Sequence, residues 1–201
     1  MNRVVSTIVA TAGLLALIAP ATSSAHDDRD NRRLRIDLSG FNEVIGPNLG
    51  VGALFSTGSG RLKLKIDKQN NLIEYELTYS FPDAAATPTV GAQFVNQAHL
   101  HFGQKHTTGG IPVWLCQSAD APAPAAVSAS TPTCPSPSGT VTGTIAPGQV
   151  LALAAQGFPA GQAGFDALLD ALQNDAVYGN VHTDRSPGGE IRGQFGGRDD
   201  D

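Results

Sequence analysis

Apolar residues fall at every second position in run after run of this chain. That period places one side of the backbone in a core and the other in water, which is the signature of a half-buried β-strand. Leu34-Arg35-Ile36-Asp37-Leu38 alternates in this way. So does Arg61 to Asp67, with Leu62, Leu64 and Ile66 directed inward and Arg61, Lys63 and Lys65 outward. A polar turn, Lys68 to Asn71, leads into Leu72 to Tyr79, where Ile73, Tyr75, Leu77 and Tyr79 share a face. The two runs form a predicted hairpin. Further extended segments are read at Gln97 to Gly103, Ile111 to Cys116, Gly139 to Ile145 and Val177 to Thr183. Only Gly164 to Asp175 shows helical spacing of any length: Phe165, Leu168, Leu169 and Leu172 recur at i, i+3, i+4 and i+7. Pro147 to Ala155 could supply one further short helix. With 23 glycines and 13 prolines, turns are favoured over long helices. The expected fold is mainly β: an antiparallel sandwich or barrel with one short amphipathic helix before the last hairpin.

The chain has 201 residues and no internal repeat, which fits one domain once a targeting segment is removed. Arg3 precedes an uncharged, apolar or small stretch from Val4 to Ile18. Pro20 breaks it, and Ser23-Ser24-Ala25 places small residues where a signal peptidase reads. Residues 1–25 therefore read as a secretory signal peptide, too short for a comfortable membrane span, and a mature chain begins at His26. Residues 26–33 are nearly all charged or polar and are expected to be a disordered lead-in. Residues 34–195 form the domain, and residues 196–201 a polar, acidic tail. No later segment is apolar enough to cross a membrane. The formal net charge of −5 argues against a nucleic-acid partner and against a polybasic membrane anchor. Cys116 and Cys134 are an even pair in an exported chain, which favours a disulfide pinning both ends of the Pro/Ala/Ser/Thr-rich stretch Ala119 to Ser138, expected to be an unstructured surface loop.

The last hairpin carries the most specific signal. Val177 to Thr183 alternates, Ser186-Pro187-Gly188-Gly189 provides the reversal, and Glu190 to Phe195 returns. Tyr178, Asn180, Val181, His182 and Thr183, then Pro187 and Gly189-Glu190-Ile191-Arg192-Gly193, match in order the closing pattern of the CHRD domain family, found in chordin and in single-domain secreted bacterial proteins. The chain resembles that family from about Leu34 to Phe195. His99, His101 and Gly103 match its H-x-H-x-G strand, and Glu43-Val44 and Pro47 match part of an earlier loop. The departures are Ile45-Gly46 in that loop and Ile111 inserted before Pro112.

Sites of chemistry are few. There is no nucleophile elbow, phosphate-binding loop, zinc-protease helix or dinucleotide fingerprint. His99 and His101 share a face by strand parity, and the family architecture makes His182 a plausible neighbour. Two readings of these three stand. They either bind loop backbone and fix strand ends, or hold copper or zinc, with Glu190 or water in a fourth position. Glu190 and Arg192 read as a same-face ion pair. The function expected first is a non-catalytic extracellular binding or structural module for a protein or polysaccharide. An envelope metal-binding protein is the alternative. A redox enzyme is a third, because H-x-H in a secreted β-sandwich is similar to the copper/zinc superoxide dismutases.

Overall fold

The computed structural model describes residues 31–44, 52–83 and 94–196. Residues 1–25, read as a targeting segment, most of the charged lead-in, Pro47 and the tail beyond Gly196 lie outside them. Eight strands follow in order: β1 (Asn31–Ser39), β2 (Ser59–Asp67), β3 (Leu72–Ser80), β4 (Val95–Phe102), β5 (Gly110–Cys116), β6 (Ser138–Ile145), β7 (Val177–Thr183) and β8 (Ile191–Phe195). The one α-helix described, α1 (Gly161–Gln173), precedes β7. The strands hydrogen-bond in the order β5-β4-β7-β8-β1-β2-β3-β6, with every pairing antiparallel. The sheet curls into a nearly closed barrel. Of the two architectures that alternation allowed, the barrel is the better description, although it divides into two four-stranded halves joined at the single pair Ser39↔Arg192.

The predicted inward residues form the core. Leu62, Leu64, Ile66, Ile73, Tyr75, Leu77 and Tyr79 are all buried, and they pack with Leu100, Val113, Leu115, Val181, Ile191 and Phe195. The apolar stripe of α1 joins the same core through Phe165, Leu168 and Leu172, while Asp166, Asp170 and Asn174 stay exposed. Leu169 is only partly buried, and Ala171 takes the fourth core position.

Three expectations need adjustment. Asn31, Arg32 and Arg33 are not part of a disordered lead-in: they pair with Asp67, Ile66 and Lys65 as the first rungs of β1. The partner strand supplies their order, so the apolar alternation that marks Leu34 onward is not needed there. Pro147 to Ala155 contains two single 3-10 turns, Pro147–Gln149 and Ala154–Gln156, instead of one helix. The stretch after β5 is a built structure and not a slack loop. The Cys116–Cys134 disulfide closes it. Within it the Gln117 side chain donates to Ser128 O and Thr131 O, each at 2.7 Å, and accepts from Ala123 N at 2.9 Å.

Candidate metal centre

β4 and β7 lie side by side, and their register sets the site. His99 is opposite Asn180, His101 opposite Tyr178, and Gln97 opposite His182. Strand parity then puts all six on the face turned away from the core, because Leu100 and Val181 occupy the alternate, inward positions. β4 also pairs irregularly with β5, with register shifts at Ala98/His99 and Leu100/Phe102 that flank both histidines. Such irregularities re-aim side chains. This outer face is nevertheless dry. Every residue of β7 is buried, and His99, His101 and His182 are 0%, 7% and 6% exposed.

The three imidazoles converge. One ring nitrogen from each lies within 4.8 Å of the others. His99 Nδ1 and His182 Nε2 are 3.2 Å apart. That spacing suits a hydrogen bond; it is also close to the edge of a tetrahedral site, about 3.3 Å when metal–nitrogen bonds are about 2.0 Å, so a metal held by these two nitrogens would replace the hydrogen bond and move the His99 proton to Nε2.

Backbone carbonyls fix the tautomers. His101 Nδ1 lies 3.0 Å from Gly109 O, and His182 Nδ1 lies 2.9 Å from Pro187 O. A carbonyl only accepts, so both Nδ1 atoms carry the proton and both Nε2 atoms present a lone pair. His182 Nε2 therefore accepts from His99 Nδ1, which leaves a lone pair on His99 Nε2. The buried side-chain atoms without a hydrogen-bond partner among the described residues are His99 Nε2, His101 Nε2 and Asn180 Oδ1. All three are acceptors lacking a donor or cation. Imidazole N–H groups anchored on carbonyls are also the usual outer support of metal-bound histidines.

Burial holds the rings neutral. It depresses His99 far below the ordinary imidazole range, with His182 and His101 adding repulsion. Burial likewise lowers His101 to about 3 and depresses His182. Neutral imidazole is the metal-binding form.

The segment 103–109 covers the cluster, and Gly109 makes that possible. A Cβ on Gly109 would fall 1.9 Å from Phe102 O, so only glycine allows this approach. Its N–H donates to the Tyr178 hydroxyl at 3.1 Å. Tyr178 stacks on His101, with ring centroids 4.5 Å apart and planes 6° from parallel. The Arg192 guanidinium lies over the other ring system, 3.4 Å from the Tyr178 centroid. It also donates to Thr107 O at 2.8 Å and Gln104 O at 3.2 Å. The indole of Trp114 lies edge-on to His99, 4.2 Å between ring centroids.

Arg192 and Glu190 do not form the predicted ion pair. Glu190 pairs with Arg185 at 2.9 Å, accepts from Ser56 Oγ at 2.7 Å, and takes the Thr183 hydroxyl on its other oxygen. Glu190 lies just before β8, where its carboxylate turns to the end of β7. Arg192 is held by an aromatic face and two carbonyls. With both oxygens engaged, Glu190 is not placed as a fourth ligand, and it does not belong to the histidine cluster. Thr183 therefore acts through Glu190, closing the hairpin.

Glu43 is a participant whose role the sequence reading left open. It is 4% exposed and receives Asn180 Nδ2 at 2.8 Å and Val44 N at 3.0 Å. Burial raises its pKa. Its place in the E-V pattern was the available signal, without a partner to give it meaning.

Neither a curated protein nor a solved structure matches the chain. The family model of the CHRD domain matches residues 34–195. That span contains all eight strands except the first three residues of β1, together with the three histidines and the hairpin that supports them. The chain is a member of the CHRD domain family.

Proposed function

We propose that this chain is a secreted CHRD module that holds one copper or zinc ion at His99, His101 and His182 and carries out no chemistry of its own. The observation behind this reading is the convergence of three neutral imidazoles, two of which, His99 and His101, hold a buried lone pair that lacks a donor. Nitrogen donors suit copper and zinc, whereas magnesium and calcium prefer oxygen. Burial favours a holding site over a catalytic one. A catalytic zinc or copper keeps a coordination position open to substrate, and His99 is completely enclosed. The disulfide and the leader-like residues 1–25 support export, since disulfides persist outside the cytoplasm. The module's partner would then be an extracellular protein or polysaccharide.

The chain has a single tryptophan, and it sits against His99. Copper(II) at the cluster should quench Trp114 emission, saturating at one equivalent of added metal. Zinc(II) should compete for the site without quenching. His101→Ala should abolish saturable quenching while circular dichroism stays unchanged. His106→Ala should keep it, because His106 is exposed and outside the cluster. Folded protein that shows no saturable quenching, or quenching that survives His101→Ala, would return the histidines to a structural role.

A further inference from the structure

β1 is paired along its whole length on one side only. All nine of its residues face β2, whereas its other edge meets β8 at Ser39↔Arg192 alone. Asp37 O still lies against Gly193, and beyond it the two strands flank a cavity of about 1130 Å³, lined by Arg32 to Asp37 on one side and by Gln194 to Gly196 on the other. No ladder pairing on this side is seen for residues 32–36 among the described residues. An open strand edge is a row of unused donors and acceptors, ready to pair with another chain.

The walls specify what would fit. Leu34, half-buried, provides apolar surface, with the buried Leu172 and Phe195 behind it. Arg33 and Arg35 alternate with Leu34 and project to the outer side, and Lys105 stands on the same rim. Arg33 and Lys105 have no ion-pair partner among the described residues, and both are exposed. Arg32, His106 and Arg192 also reach this wall. The acids facing the cavity are Asp37, already shared by Arg61 at 2.7 Å and Arg35 at 3.6 Å, and Asp175. The cavity is therefore locally cationic in a chain of net charge −5.

We propose that the open edge of β1 accepts an extended segment of a partner protein as an added strand, with acidic and apolar residues alternating in that segment. Main-chain pairing to β1 supplies the affinity common to such additions, and side-chain pockets supply the selection. The acidic positions meet Arg33, Arg35 and Lys105, and the apolar positions meet Leu34. The histidine cluster plays no part, so the two proposals stand or fall separately.

The probe is a fluorescein-labelled, end-capped peptide of eight residues alternating Glu and Val, titrated with the full mature chain in low salt and read by anisotropy. Binding should weaken with added salt. It should fall at least tenfold for Arg33→Glu/Arg35→Glu/Lys105→Glu. The milder Arg33→Gln/Arg35→Gln variant serves if the triple reversal does not fold. N-methylation of alternate peptide amides in one of the two registers should abolish binding, and a Lys/Val peptide should not bind. Hydrogen exchange should slow in residues 31–37 when the Glu/Val peptide is present. The proposal is overturned if the peptide does not bind, if both N-methylated registers bind like the parent, or if the arginine variants bind unchanged. It is also overturned if a sulfated polysaccharide binds where the peptide does not. Self-association that the arginine variants abolish would make a second copy the occupant, and likewise overturn it.

Discussion

Each of the three clustered histidines occupies a place where a positive charge would have neither water nor a carboxylate beside it. Their folded-state pKa values are depressed, chiefly by burial. The unfolded chain, with imidazoles near 6.5, therefore binds protons that the native chain refuses. Stability contributed by these groups is present above about pH 6.5 and is lost as pH falls below it. Glu43 acts in the opposite sense. Burial raises its pKa above 4.5, so acid relieves the cost of its charge, one group acting against three. In metal-free protein the urea midpoint should drop between pH 7 and pH 5.5, before carboxylates dominate. His101→Gln should flatten that drop. A flat profile in the parent would mean that the rings have access to water. The same depression would extend the proposed metal binding to lower pH than exposed histidines allow, since protons compete poorly for these nitrogens. The spacing of His99 and His101 was legible because strand parity is local. Their tautomers were not, because the carbonyls of Gly109 and Pro187 that fix them belong to turns whose path no periodicity encodes.

At the level of elements, alternation located the strands well wherever one face was apolar. It missed the start of β1, where both faces carry polar residues and the ladder to β2 alone dictates the extension. Gly164 reads as the start of a helix in the sequence, but α1 already begins at Gly161. Gly164 is a packing position: a Cβ there would fall 2.4 Å from Pro159 O and 2.9 Å from Val150 Cγ1. The stretch between the cysteines was the largest misreading, because its Pro/Ala/Ser/Thr composition looks unstructured. One amide side chain organises it. Gln117 makes three hydrogen bonds to separate points of the stretch, while Val127 and Ala123 are buried beneath it. Gln117→Ala should cost about 2–3 kcal/mol, given roughly 1 kcal/mol for each lost bond and a penalty for any carbonyl left dry. The disulfide bounds the damage, since closing a loop of 18 residues is worth on the order of 3 kcal/mol. Thermal melts should show Gln117→Ala destabilised in the oxidised protein and further destabilised after reduction. Unchanged melting would mean that the disulfide alone organises the stretch.

The whole molecule is two four-stranded halves that must be held together at both sides. One side is the Ser39↔Arg192 pair. The other is the seam between β5 and β6, which side chains and short contacts close in place of a continuous ladder. The Cys116–Cys134 bond holds one end of it, from β5 to the stretch that leads into β6, and Gln117 pairs with Thr133 there. Tyr75 also crosses it from inside: its hydroxyl leaves β3, passes β6 at Gly143 and donates to Leu115 O of β5 at 2.7 Å. Gly143 leaves room for this reach, since a Cβ would fall 2.5 Å from the Tyr75 oxygen. In sequence, Tyr75 was one of four inward residues of the second strand of a hairpin, and its ring was correctly placed. Its hydroxyl was not, because the acceptor lies 40 residues away on a strand it does not neighbour. Tyr75→Phe keeps the ring and removes the donor, leaving a buried carbonyl unpaired, which should cost about 1–3 kcal/mol. Gly143→Ala should cost more, because the added methyl drives the tyrosine out of line without replacing its bond. Together the two variants test whether the seam is a structural joint. Amide exchange in β5 and β6 should accelerate in Tyr75→Phe, while β1 and β2, on the far side of the barrel, keep their protection. Uniform acceleration across all eight strands would instead make the seam one part of a single cooperative unit, with no separate opening on that side.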